Sequence, residues 1–172
     1  MRRSARRPAS LAALLLLLTA AINVHATEVA RVQGIVNDDR FPDFTLQRAN
    51  GSELTLSAHD GPQVVVFFAT WCPYCRKLMP ALEDLQITHG DDGLRVVGVN
   101  FRDDGDTTAY ARRLGIHFDI VVEGDDLARQ VGVLGTPTTF ILDERRRVLR
   151  RTSKSDPGNP QLHAAILEAM DS

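Results

Sequence analysis

Val64 to Phe68 (VVVFF) is a continuous run of apolar strand formers. A strand with apolar side chains on both faces has no side to give to water. It belongs inside a sheet that is covered above and below. A second such run, Leu94 to Asn100 (LRVVGVN), follows one helical segment later. Between them, residues 73–88 place Leu78, Leu82 and Leu85 on one helical stripe. Pro73 suits the first turn, where its missing N–H is not needed, and Pro80 is expected to kink the helix. Strand, helix and strand in this order predict two parallel strands whose C-terminal ends share one rim. That rim carries Cys72 and the loop from Phe101 to Asp106.

The remaining segments extend the same sheet. Phe44-Thr45-Leu46 and Leu54-Thr55-Leu56 flank Asn50-Gly51, which reads as a hairpin. Asp106 is placed to cap a helix from Thr107 to about Leu114, with Gly115 stopping it. Phe118 to Val122 is a further strand. Asp125 or Asp126 opens a short helix that ends near Gly132. Thr138 to Leu142, a turn at Glu144-Arg145, and Val148 to Arg151 form a second hairpin. Asn159 caps a last helix, with Pro160 at its first position and Leu162, Ile166 and Met170 inward. The expected architecture is α/β: a mixed central sheet flanked by helices on both faces, with an N-terminal β-hairpin.

The start of the chain speaks to compartment. Arg2, Arg3, Arg6 and Arg7 precede an apolar run from Leu11 to Ala21, and Val24-His25-Ala26 follows with small residues. This pattern predicts a secretory signal over residues 1–26, cut after Ala26, with Ala20 as the second choice. The apolar run falls short of the roughly 20 residues of a membrane span. Residues 27–40 are polar and unpatterned and read as a flexible lead into a domain over 41–172. The leader holds four arginines and no acids. Of 20 basic and 22 acidic residues, a cleaved chain of 146 would therefore keep 16 and 22, a net charge of −6. That balance argues against nucleic acid as a partner. The expected location is the periplasm or an equivalent exported space.

Exported proteins spread cysteines along the chain to close long loops. Here the two cysteines both lie in Trp71-Cys72-Pro73-Tyr74-Cys75, a spacing that closes almost nothing. The pair is therefore chemistry or a metal clip. Cys72 sits just before a helix, where free N–H groups and the dipole favour a thiolate. Cys75 lies one turn on, within reach of a mixed disulfide on Cys72.

Phe44-Thr45-Leu46, VVVFFATWCPYCRKLMP, VVGVN and GVLGTPTTFILD, in this order, resemble the TlpA/ResA-type thioredoxin-like proteins. The resemblance runs from about Pro42 to the C-terminus. It implies a thioredoxin fold with a central αβ insert, matching residues 107–131, and a cis Pro137 beside the sulfurs. It also implies an exported protein-disulfide oxidoreductase that needs no cofactor. Such proteins mostly keep other proteins' thiols reduced, often in cytochrome c or copper-site assembly, and draw electrons from a membrane thiol carrier. Cys72 and Cys75 would be catalytic. Trp71, Pro73, Tyr74, Thr136 and Pro137 would meet the substrate, and the protein would act as a monomer. Two positions depart from the pattern. Thioredoxins proper carry a buried Asp where Val66 stands, and many relatives carry a Glu where Leu78 stands. The resolving thiol thus lacks the base the resemblance would supply.

Other chemistries fit less well. Structural zinc needs four ligands, and the five histidines are scattered. A copper-binding chaperone module using the same two thiolates stays open, because Cu(I) accepts soft ligands. A peroxidase of the peroxiredoxin type would want Thr or Ser where Ala69 stands. His117 reads as a loop histidine. The run Arg145, Arg146, Arg147, Arg150, Arg151 and Lys154 reads as a solvated hairpin at the end away from Cys72. Arg102, in the rim loop, is either a surface residue or a source of positive potential near Cys72.

Overall fold

The computed structural model describes residues 40–57, 59, 61–153, 155–156 and 158–171. The expectations for residues 1–26 and 27–39, and for Lys154, fall outside these. No helix among the described residues is long and apolar enough to cross a membrane.

The elements run β1 (Phe44–Gln47), β2 (Glu53–Leu56), β3 (Gln63–Phe68), α1 (Pro73–His89), β4 (Arg95–Asn100), α2 (Thr107–Leu114), β5 (Asp119–Val121), α3 (Asp125–Gln130), β6 (Thr138–Leu142), β7 (Val148–Thr152) and α4 (Pro160–Met170). The main sheet has the order β5-β4-β3-β6-β7. β3 is parallel to β4 and β4 to β5, while β6 is antiparallel to both β3 and β7. The VVVFF strand is thus central, and all six residues of β3 are buried. Its side chains divide by pleat. Val64, Val66 and Phe68 join a core with Leu78 and Leu82 of α1, Tyr110 of α2 and Ile166 of α4. Val65 and Phe67 join a second core with Phe44, Leu54 and Leu56 of the first hairpin and Leu127 of α3. Helices therefore cover both faces, and β1–β2 thickens the second.

Local differences from the sequence expectation have physical causes. The β1–β2 connection is wider than an Asn-Gly turn. Gln47 pairs with Glu53, and Gly51 takes φ +81° within a loop closed by Arg48 N–H donating to the Ser52 carbonyl. Helix α1 continues through Pro80 to His89. Helix α3 opens at Asp125, as expected. Gly124 is its N-cap, and the two aspartates stand in the first turn, where they complement the dipole. Arg40 forms an isolated bridge with Arg147, so strand-like pairing begins at the first described residue.

Candidate active site

The site is built where β3 ends and α1 begins. Cys72 is the N-cap of α1 in extended conformation, and Pro73 occupies the first turn. The Cys72 sulfur accepts the Cys75 N–H at 3.4 Å, replacing the hydroxyl or carboxylate oxygen usual at this position. On the other side, the Cys72 thiol donates to the Thr136 carbonyl at 3.7 Å. The Thr136–Pro137 peptide bond is cis. Pro137 and both cysteines are buried, Thr136 is half-buried, and Trp71, Pro73 and Tyr74 are exposed around them. All seven residues singled out in the sequence therefore meet at one rim.

The two thiols are unequal. Burial pushes Cys72 up, but the Thr136 side chain, Cys75 and the main chain of Cys75 and Tyr74 more than offset this. The net result is a thiol below its ordinary value. Burial pushes Cys75 up to about 12, and the neighbouring Cys72 adds to the rise. Chemically, Cys72 is the thiol more readily converted to thiolate and Cys75 the less readily.

The rim loop contributes Asp103, which the sequence did not single out, and Arg102, which it did. Asp103 accepts Thr70 N–H at 2.6 Å, the Thr70 hydroxyl at 2.9 Å, Asn100 Nδ2 at 2.6 Å and Gly105 N–H at 3.0 Å. It thereby ties the 101–106 loop to the segment just before Cys72. A side chain at Gly105 would place Cβ 2.1 Å from the Thr70 hydroxyl, so the close approach requires glycine. Arg102 has φ +51°. Its carbonyl accepts Trp71 Nε1 at 3.2 Å, and its guanidinium donates to the Leu134 carbonyl at 3.2 Å. It thereby ties the exposed Trp71 side chain and the main chain at Leu134 to the rim loop. Arg102 is not among the groups that act most on the Cys72 thiol. No short motif marks either role, because their partners lie about thirty residues away.

The remaining candidates lie elsewhere. His117 belongs with Glu83, whose buried carboxylate accepts the His117 and Phe118 N–H groups at 2.8 and 3.1 Å. Arg145, Arg146 and Arg147 are at the far end of the sheet, where Leu142 pairs with Gln63 at the start of β3, while Arg150 and Arg151 lie along β7 opposite Ile141 and Phe140. At the far end Arg147 pairs with Asp143 at 2.6 Å and Arg146 with Asp43 at 3.0 Å, so they brace the fold.

The sequence profile of the AhpC/TSA family matches residues 38–151. The thioredoxin-like protein YneN of Bacillus subtilis is 34% identical over 128 residues, covering 72% of this chain and 75% of its own. The thiol-disulfide oxidoreductase ResA of Geobacillus kaustophilus is 32% identical over 143 residues, covering 79% and 81%. Among solved structures, a candidate thiol:disulfide interchange protein DsbE from Chlorobium tepidum superposes with a TM-score of 0.70 at 28% identity. That match covers 77% of this chain and 96% of the other. A sheet of order β5-β4-β3-β6-β7 with its cysteine pair at the start of α1, and relatives of this kind, lead to one assignment: the chain belongs to the AhpC/TSA family, as a thioredoxin-fold enzyme of its thioredoxin-like, ResA-type branch.

Proposed function

We propose that this protein is an exported protein-disulfide reductant in which Cys72 attacks and Cys75 resolves. The observation that carries the reading is the inequality of the thiols, one held below its ordinary value at a helix start and one buried at about 12. The Cys72 thiolate attacks a substrate disulfide. The S–S bond breaks, one substrate sulfur leaves as thiolate, and the other stays bonded to Cys72. Cys75, once deprotonated, attacks the Cys72 sulfur and the second substrate thiolate departs. Two electrons have passed to the substrate, and Cys72–Cys75 is now the disulfide. A donor dithiol returns the electrons, and a membrane thiol carrier is the proposed source.

Substrate recognition follows from the rim. An extended segment would lie against Thr136 and Pro137 as an added strand, with Trp71, Pro73 and Tyr74 beside it. The substrates are protein thiols and disulfides, and the unit acts as a monomer. The peroxidase alternative lacks its hydroxyl, because Ala69 stands at that place and is buried beneath Cys72.

Reduction of insulin disulfides by the dithiol form tests the reading. Cys72→Ser should abolish exchange, whereas Cys75→Ser should accumulate a mixed disulfide visible by intact mass. Equilibration against glutathione then fixes direction. A potential near about −270 mV marks a reductant, and one near about −120 mV an oxidant. Tight binding of one Cu(I) with no insulin reduction would replace the reading with that of a copper chaperone.

A further inference from the structure

Arg102 adopts φ +51°, a backbone region that disfavours a residue with a Cβ and that glycine or asparagine takes more easily. A long charged side chain in such a place asks for a reason. The residue is exposed, and its guanidinium lies over the ring of the buried Phe101, 5.6 Å from the centroid. From there it reaches the Leu134 carbonyl at 3.2 Å. The main chain of Arg102 is fixed independently of this contact. Its N–H faces both Asp125 carboxylate oxygens at 3.3 Å, and its carbonyl accepts Trp71 Nε1. The guanidinium is therefore a brace built out from an anchored point.

Leu134 opens the stretch that ends in the cis Thr136–Pro137 bond. Val133 before it and Pro137 at its end are buried, whereas Leu134 and Gly135 are exposed. Gly135 has no side chain to pin the stretch, and a Cβ there would meet nothing within 4 Å. Three side chains hold it instead, one for each successive carbonyl. Arg102 donates to Leu134, the Thr138 hydroxyl to Gly135 at 2.8 Å, and the Cys72 thiol to Thr136 at 3.7 Å. The third bond is lost during exchange, because Cys72 carries no proton as a thiolate or when bonded to substrate. Of the other two, the Thr138 bond closes a local turn, and the Arg102 bond ties the stretch to a different loop.

We propose that Arg102 is a positioning residue for protein substrates, holding the main chain of residues 134–136 in the geometry with which a substrate segment pairs. Arg102 acts through this stretch and not on the sulfurs. A protein disulfide, which must pair with the main chain, gains from a preset stretch. A small disulfide, which reaches Cys72 without pairing, does not. The inference rests on the reading of Thr136 and Pro137 as the substrate-pairing segment. The Leu134 carbonyl belongs to an exposed residue and can turn to water, so removal of the guanidinium strands no buried group and costs the fold little.

Insulin and dithionitrobenzoate represent the two kinds of substrate. With dithiothreitol as donor, Arg102→Ala should raise KM for insulin disulfides about fivefold at unchanged kcat, the scale of one net hydrogen bond. Its single-turnover rate with dithionitrobenzoate should match wild type, and so should its urea midpoint. The rise in KM should persist at about 1 M salt, where exposed charges are screened beyond about 3 Å. An unchanged insulin KM in Arg102→Ala would overturn the inference. So would a fall in kcat without a rise in KM, or equal slowing on both substrates with a lowered urea midpoint, which would mark a structural role. A rise in KM that vanishes in high salt would overturn it too, because that is the mark of long-range attraction between charges. A wild-type protein that reduces dithionitrobenzoate but shows no saturable reduction of insulin would instead overturn the reading of Thr136 and Pro137 as the substrate segment.

Discussion

At Cys72 two physical effects oppose each other. Burial favours the neutral thiol, and hydrogen bonds at the helix start favour the thiolate. The hydrogen bonds win because several converge on one sulfur, the Thr136 side chain foremost. Thiolate nucleophilicity appears as pH rises through the lowered value, so alkylation of Cys72 should persist below the range of an ordinary thiol, about 8.5. Thr136→Val removes the leading favourable contact and keeps the side-chain shape. The midpoint for alkylation of Cys72 should then move upward, while Cys75 stays unlabelled in the folded protein. Mass-resolved labelling with iodoacetamide between pH 5 and 9 reads both sites at once, about two units either side of neutrality. An unmoved midpoint would mean that the main chain of α1 alone sets the thiol.

Between elements, the decisive joint is the rim loop after β4. Burial raises the Asp103 carboxyl, but the donors from Thr70, Asn100 and Gly105 outweigh it and hold the group below the ordinary carboxylate value. Its contribution to stability is therefore present above the unfolded value of about 3.9 and fades as pH falls through the folded one. Asp103→Asn should cost about 1–2 kcal/mol at neutral pH. The difference from wild type should narrow towards pH 3, below the unfolded aspartate value of about 3.9. Urea melts at both pH values measure this, and insulin reduction should fall with the loosened rim. The joint also shows why part of the site escaped sequence reasoning. Cys72 and Cys75 were legible because helix-start chemistry is local and fits within five residues. Asp103 was not, and Arg102 only as a candidate without its partners. Their meaning depends on which loop or helix the fold brings across, and Asp103 looks in sequence like any aspartate in a polar run. The α3 start was legible, because Asp125 is its first residue, whereas the glycine cap at Gly124 depends on a tight contact with β4 that only the fold creates.

For the whole molecule, the central strand was legible in outline because an all-apolar run admits few placements. The division of its side chains between two cores follows from the pleat. That division separates chemistry from support. Both cysteines and Tyr110 lie in the core beneath α1, α2 and α4, whereas Phe41 lies in the other. Phe41 is almost fully buried, with its ring 5.0 Å from Phe140, 6.3 Å from Phe44 and 6.5 Å from Phe67. Its truncation leaves a void bounded by aromatic rings that cannot all collapse inward. Phe41→Ala should therefore cost about 3–5 kcal/mol of unfolding free energy. The sulfurs are on the opposite face of β3, and none of the groups that set them touches this cluster. The folded fraction of Phe41→Ala should thus show wild-type Cys72 alkylation and wild-type insulin reduction per folded molecule. Denaturant melts give the first quantity, and activity well below the melting point gives the second. Loss of activity in fully folded Phe41→Ala would show that the two cores are mechanically coupled through the strand.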